Sequence, residues 1–159
     1  MEREYIPYSE KCFMCGDSNL DGLRLKLYRD GEKVKADLRI DERFIGYENM
    51  IHGGVVCGLL DEVMVWAAVI FGSKRSMYVT VDINVKYHAP VPAGEEVTVE
   101  GWVVEEKGRM AFCEARILKG EKVLASGSGR FLALSRSKLE EMLPQLKFDR
   151  APKYKNFFG

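Results

Sequence analysis

Ile51-His52-Gly53-Gly54 opens the one long apolar stretch of this chain, and Asp61, nine residues after the histidine, is the first acid in it. Backbone N–H groups at a helix start have no internal partner and sit at the positive end of the helix dipole. Groups of that kind can hold a carbonyl oxygen as it becomes an oxyanion. A carboxylate in the same site can then serve as nucleophile or general base. The chemistry these residue types suit is acyl transfer.

Other constellations carry less. Cys12 and Cys15 have metal-ligand spacing, but a structural zinc needs four ligands, and the chain offers no second Cys-x-x-Cys and only His52 and His88 as histidines. A packed turn is the simpler expectation, a metal shared across subunits the alternative, so no metal or separate cofactor is expected. Cys57 within the helix and Cys113 within a strand read as core. No Gly-x-Ser-x-Gly elbow is present to support a serine triad.

The 159 residues make about one domain, and 47% hydrophobic content is enough for an ordinary core. Lys+Arg and Asp+Glu are both 24, so no basic field points to nucleic acid. Uninterrupted hydrophobic runs fall short of the ~18 residues of a membrane span. Met1-Glu2-Arg3-Glu4 lacks the pattern of a signal peptide. The expectation is a cytoplasmic protein with reduced thiols and no membrane partner.

The elements that must position these residues are readable from periodicity. Residues 1–22 form a turn-rich segment. Leu23 to Arg29 alternates as a half-buried strand, Asp30-Gly31 makes a hairpin, and Val34 to Ile40 continues the alternation. A loop with Phe44, Ile45, Tyr47 and Met50 leads to the histidine. Gly53 to about Phe71 is a helix ended by Gly72-Ser73. Its bulky face carries Val56, Leu59, Leu60, Val63, Ala67 and Ile70; its narrow face carries Gly54, Gly58, Asp61, Val65 and Ala68. Gly58 implies that something approaches the helix closely there. Val79 to Tyr87, Glu96 to Glu106, Met110 to Leu118 and Val123 to Leu134 read as strands. Ser137 to Glu140 fits a capping box for a short last helix, and the tail from Lys147 is expected to be loose or packed on a partner. This order predicts an α+β domain over 1–135, a long central helix wrapped by an antiparallel sheet of about six strands, with 136–159 as a short helix and tail.

The His52-Gly53-Gly54 start with Asp61, together with Val79-Thr80-Val81-Asp82-Ile83-Asn84-Val85-Lys86-Tyr87 leading to Pro90-Val91-Pro92-Ala93-Gly94, resembles the hotdog-fold acyl-CoA thioesterases. The resemblance runs from about Cys12 to Ser135. It is closest to the branch of the 4-hydroxybenzoyl-CoA thioesterase superfamily associated with phenylacetate degradation. Some members of that family carry a Cys-x-x-Cys-Gly like the one here. The resemblance implies a homodimer, paired again into a homotetramer, with acyl-CoA in the seam between protomers. It implies Asp61 as nucleophile or general base, supplied to a helix start on the partner. His52 would orient the loop or contact the carbonyl, Gly54 N–H would be the oxyanion donor with help from Val55, and Gly53, Thr80 and Asp82 would line the cleft. Glu62 is the runner-up base. Lys86, Lys107 and Arg109 are candidates for the CoA phosphates. Along one helix His52 and Asp61 lie about 13 Å apart, too far to meet at one carbonyl, whereas two antiparallel helices would bring them together. A non-catalytic acyl-CoA binding module and a dehydratase of the same fold are the competing readings.

Overall fold

The computed structural model describes residues 2–159. Before the central helix come β1 (Glu4–Tyr5), β2 (Tyr8–Ser9), β3 (Tyr28–Asp30), β4 (Lys33–Arg39), β5 (Ile45–Tyr47) and β6 (Met50–Ile51). The helix α1 spans Gly53–Phe71, and β7 (Tyr78–Tyr87), β8 (Glu96–Lys107), β9 (Met110–Lys119) and β10 (Lys122–Ala133) follow it. The chain closes with α2 (Arg136–Met142) and β11 (Leu146–Lys147). The main sheet is antiparallel with order β1-β3-β4-β8-β9-β10-β7, so the six expected strands are joined by the two-residue β1 at one edge. β7 is the opposite edge. The fold is the expected α+β hotdog arrangement, with α1 packed on the long sheet.

α1 ends where its punctuation says it should, between His52 as N-cap and Gly72 as C-cap. Every residue of its predicted bulky face is buried, from Val56 to Ile70. Gly101 on β8 lets the helix settle this closely, because a Cβ there would lie 2.8 Å from the backbone of Val63. By length and hydropathy the 19 residues of α1 would suffice to cross a membrane, despite the short uninterrupted runs, yet 61% of its most apolar window is buried inside the fold. It is the core helix.

Three local expectations are corrected. Leu25 and Leu27 point inward as their alternation requires, but Leu23–Leu27 is not part of the sheet. Its backbone bonds go elsewhere, Leu23 N–H to Phe13 O at 2.9 Å and Leu25 N–H to Met14 O at 2.8 Å, so this stretch supports the Cys12–Cys15 turn. The last helix is capped by Ser135, whose Oγ accepts from Lys138 N–H at 3.4 Å, rather than by Ser137. The tail packs on its own chain: β11 pairs with β2, Tyr154 Oη donates to Glu4 Oε1 at 2.6 Å, and Ala151, Tyr154 and Phe158 are buried. Its aromatic residues have found a surface on the N-terminal segment.

Candidate functional site

Asp61 sits two turns into α1, half-buried, with its Oδ1 accepting from Thr80 Oγ1 of β7 at 2.8 Å. Burial pushes its carboxyl above the usual aspartate range, and the Thr80 hydrogen bond offsets part of that rise. Such a group is more basic than an exposed aspartate. It lies beside the unpaired edge of the sheet.

Thr80 reaches the acid because of a bulge. In the pairing of β10 with β7, Arg130 faces Asp82 and Phe131 faces Thr80, so Val81 has no opposite number. One extra residue turns the alternation over. Thr80 therefore faces α1 while Asp82 lies on the outer face, ion-paired with Arg130. The expectation that Thr80 and Asp82 share one cleft is corrected: the bulge separates them.

At the helix start the donors are already partly used. His52 Nδ1 accepts from Gly54 N–H at 2.9 Å, and His52 O accepts from Val55 N–H at 2.9 Å. This is N-capping by an imidazole, and it engages the donors assigned to the oxyanion from sequence. The Gly53 N–H finds no acceptor among the described residues. Gly53 is exposed, and its carbonyl accepts from Tyr87 Oη at 2.7 Å. A groove of about 610 Å³ opens here, lined by Gly46, Tyr47, Met50, His52, Gly53 and Tyr87. Tyr87 was not singled out in sequence; as the exposed last residue of an alternating strand it gave no signal beyond its aromatic ring.

The remaining candidates lie elsewhere. Glu62 is 7% exposed and points away from Asp61 into a second cluster. There Trp66 Nε1 donates to Glu62 Oε1 at 3.0 Å, and Cys12 Sγ lies 3.8 and 4.0 Å from the two carboxylate oxygens. Burial, and then the charge of Cys12, push the Glu62 carboxyl up to about 8. Cys15 donating to Cys12, with backbone N–H groups, draws the Cys12 thiol down to about 6, while Cys15 is pushed up. The close approach at Gly58 comes from Met14 of this same segment. Trp66 is buried in this cluster and does not line the groove. Of the basic residues, Arg109 is spent on the Ala133 carbonyl at 2.6 Å, Lys107 pairs with Glu105, and Lys86 lines a cavity on the outer face of the sheet.

Comparison with known proteins fits this architecture. The family model described as the thioesterase superfamily matches residues 48–126, from the loop before His52 to the middle of β10. The chain is similar to PA0474 of Pseudomonas aeruginosa, which carries an esterase name, at 32% identity over 94 residues, 59% of this chain and 70% of that one. It is 24% identical to mouse acyl-coenzyme A thioesterase 13 over 98 residues, 60% of this chain and 69% of that one. Among solved structures, one described as a thioesterase superfamily protein superposes with a TM-score of 0.70 at 25% identity, spanning 77% of this chain and 60% of the other. Zebra fish thioesterase superfamily member 2 superposes with a TM-score of 0.66 at 18% identity, spanning 76% and 90%, and speaks for the fold alone.

Proposed function

This chain belongs to the thioesterase superfamily, and from that premise we propose that it is an acyl-CoA thioesterase whose site is shared between two copies of the chain. Thioester hydrolysis follows from the family. The finer reading rests on one observation: a half-buried Asp61, held by Thr80, stands beside the open edge strand, two turns from a helix start with a free N–H. Within one helix these two features are about 12 Å apart. Pairing two copies through β7 would set the Asp61 of one protomer against the Gly53 end of the other.

In that arrangement the thioester carbonyl oxygen takes a hydrogen bond from Gly53 N–H, under the positive end of the α1 dipole. Gly54 N–H becomes a second donor when the His52 imidazole swings away from it. Asp61 then either attacks the carbonyl carbon, giving a mixed anhydride that water opens, or takes a proton from the water that attacks. CoA leaves as the thiolate and is protonated by solvent. ¹⁸O from labelled water appearing in Asp61 during turnover would mark the anhydride route, opened at the aspartyl carbonyl. Trapping of an acylated Asp61 would mark the same intermediate when water opens it at the acyl carbonyl instead.

The groove beside Tyr47, Met50 and Tyr87 receives the acyl group, and its aromatic lining, with the resemblance to the phenylacetate-associated branch, makes aryl-acyl-CoAs the first substrates to try. Wild-type protein is assayed for free thiol over short, long and aromatic acyl-CoAs. Release from at least one class is expected; binding without release from any would reassign the chain as an acyl-CoA binding module. Asp82 and Glu62 take no part in this mechanism.

A further inference from the structure

The cluster at the other side of α1 is a separate matter. Among the described residues two carboxyl groups are nearly inaccessible, and they are treated differently. Glu100, 2% exposed, is met by Lys33 at 2.9 Å, Arg116 at 2.6 Å and Lys35 at 3.4 Å. Glu62, 7% exposed, is met by no Lys, Arg or His among the described residues; its neighbours are the Trp66 N–H and two thiols. A buried carboxylate without a countercharge is costly. Its surroundings supply sulfur ligands where Glu100 has ammonium and guanidinium groups.

The Cys12–Cys15 turn is shaped to present those ligands. Met14 N–H donates to Cys12 Sγ at 3.3 Å and Gly16 N–H to Cys12 O at 2.9 Å, which fixes the loop around the sulfur. Gly16 admits no side chain, since a Cβ would stand 2.5 Å from Cys12 N and Glu10 O. Backbone N–H groups aimed at a sulfur favour its thiolate. One ligand atom each from Cys12, Cys15 and Glu62 lies within 4.8 Å of the others. A tetrahedral zinc with ordinary bond lengths needs edges of about 3.6–3.8 Å, so a small contraction closes the set. Trp66 N–H holds Glu62 Oε1 from outside, as a supporting hydrogen bond does for a metal-bound carboxylate.

We propose that Cys12, Cys15 and Glu62 form a binding site for a thiophilic divalent cation, zinc in the first instance, that staples the N-terminal segment to α1. Both cysteines bind as thiolates and Glu62 as a carboxylate, their protons passing to solvent, and a water completes four-coordination. The spacing of Cys and His does not reveal the third ligand, because it is an acid on the core helix.

The test uses the full chain, reduced, loaded with zinc and then dialysed, with metal counted per chain and alkylation mapped by mass spectrometry. About one zinc per chain is expected, protecting Cys12 and Cys15 while Cys57 still reacts. Cobalt in place of zinc should give an intense thiolate-to-metal absorption band. Cys12→Ser and Cys15→Ser should lose the metal, and Trp66→Phe should weaken uptake by about 10–100-fold. The wild-type cobalt spectrum needs no variant to fold. A folded, reduced wild type that retains no metal, or metal retention unchanged in Cys15→Ser, would overturn the site. Thioesterase assays report on Asp61, so the two proposals fail independently.

Discussion

At the scale of single residues, Asp61 is a half-buried carboxyl whose charged form burial disfavours, and the proposed chemistry draws on that. Asp61→Asn should fold and bind acyl-CoA, yet lose at least about 10²-fold in turnover, the range removed with a general base. Stability should move the other way. Burial holds the folded pKa of Asp61 above its unfolded value, so between those values the native state binds more protons and stability falls as pH rises. Above that window the ionised group is a net cost. Asp61→Asn should therefore have a higher urea midpoint than wild type at pH 7, with the difference closing in acid; a lower midpoint at pH 7 would contradict it. Thr80→Ala removes the hydrogen bond that favours the charged form. Its kcat/KM should fall about tenfold at neutral pH, and the acid limb of its pH profile should shift to higher pH.

At the scale of elements, legibility depended on whether a signal was periodic. The bounds of α1 were plain because the glycines at both ends punctuate a helical pattern, and the meander was plain because its strands alternate. The bulge at Val81 was not, since one unpaired residue leaves composition unchanged while turning Thr80 and Asp82 to opposite faces. Glu62 was unreadable for another reason. On a helix it looks like any solvated acid, and the Cys12 thiol that faces it arrives from 50 positions away. The capping role of His52 was equally hidden, because an imidazole at a helix start serves catalysis and capping alike. Packing between elements yields its own prediction. Gly101→Val puts branched carbon against the Val63 backbone, and should destabilise the fold by about 1–3 kcal/mol or more in urea titration. An unchanged midpoint would mean that sheet and helix are not in the contact described.

At the scale of the whole molecule, the open edge of the sheet is what supports the proposed pairing of two copies. β7 ends the sheet, and Val79 and Val81 are 43% and 47% exposed along it, where a monomer would ordinarily protect an edge. Val81→Lys should shift the protein to monomer by sedimentation and remove thioesterase activity with it. The most direct test of a site shared across that edge is complementation. Gly53→Pro deletes one N–H at a helix position that tolerates proline, behind a His52 already at ψ 134. Alone, it and Asp61→Asn should each be nearly inactive. Unfolded together and refolded, they should recover about a quarter of wild-type turnover, because half the dimers are mixed and each mixed dimer has one intact site. Turnover no higher than the average of the two parents would place both groups in one chain's site and contradict the account.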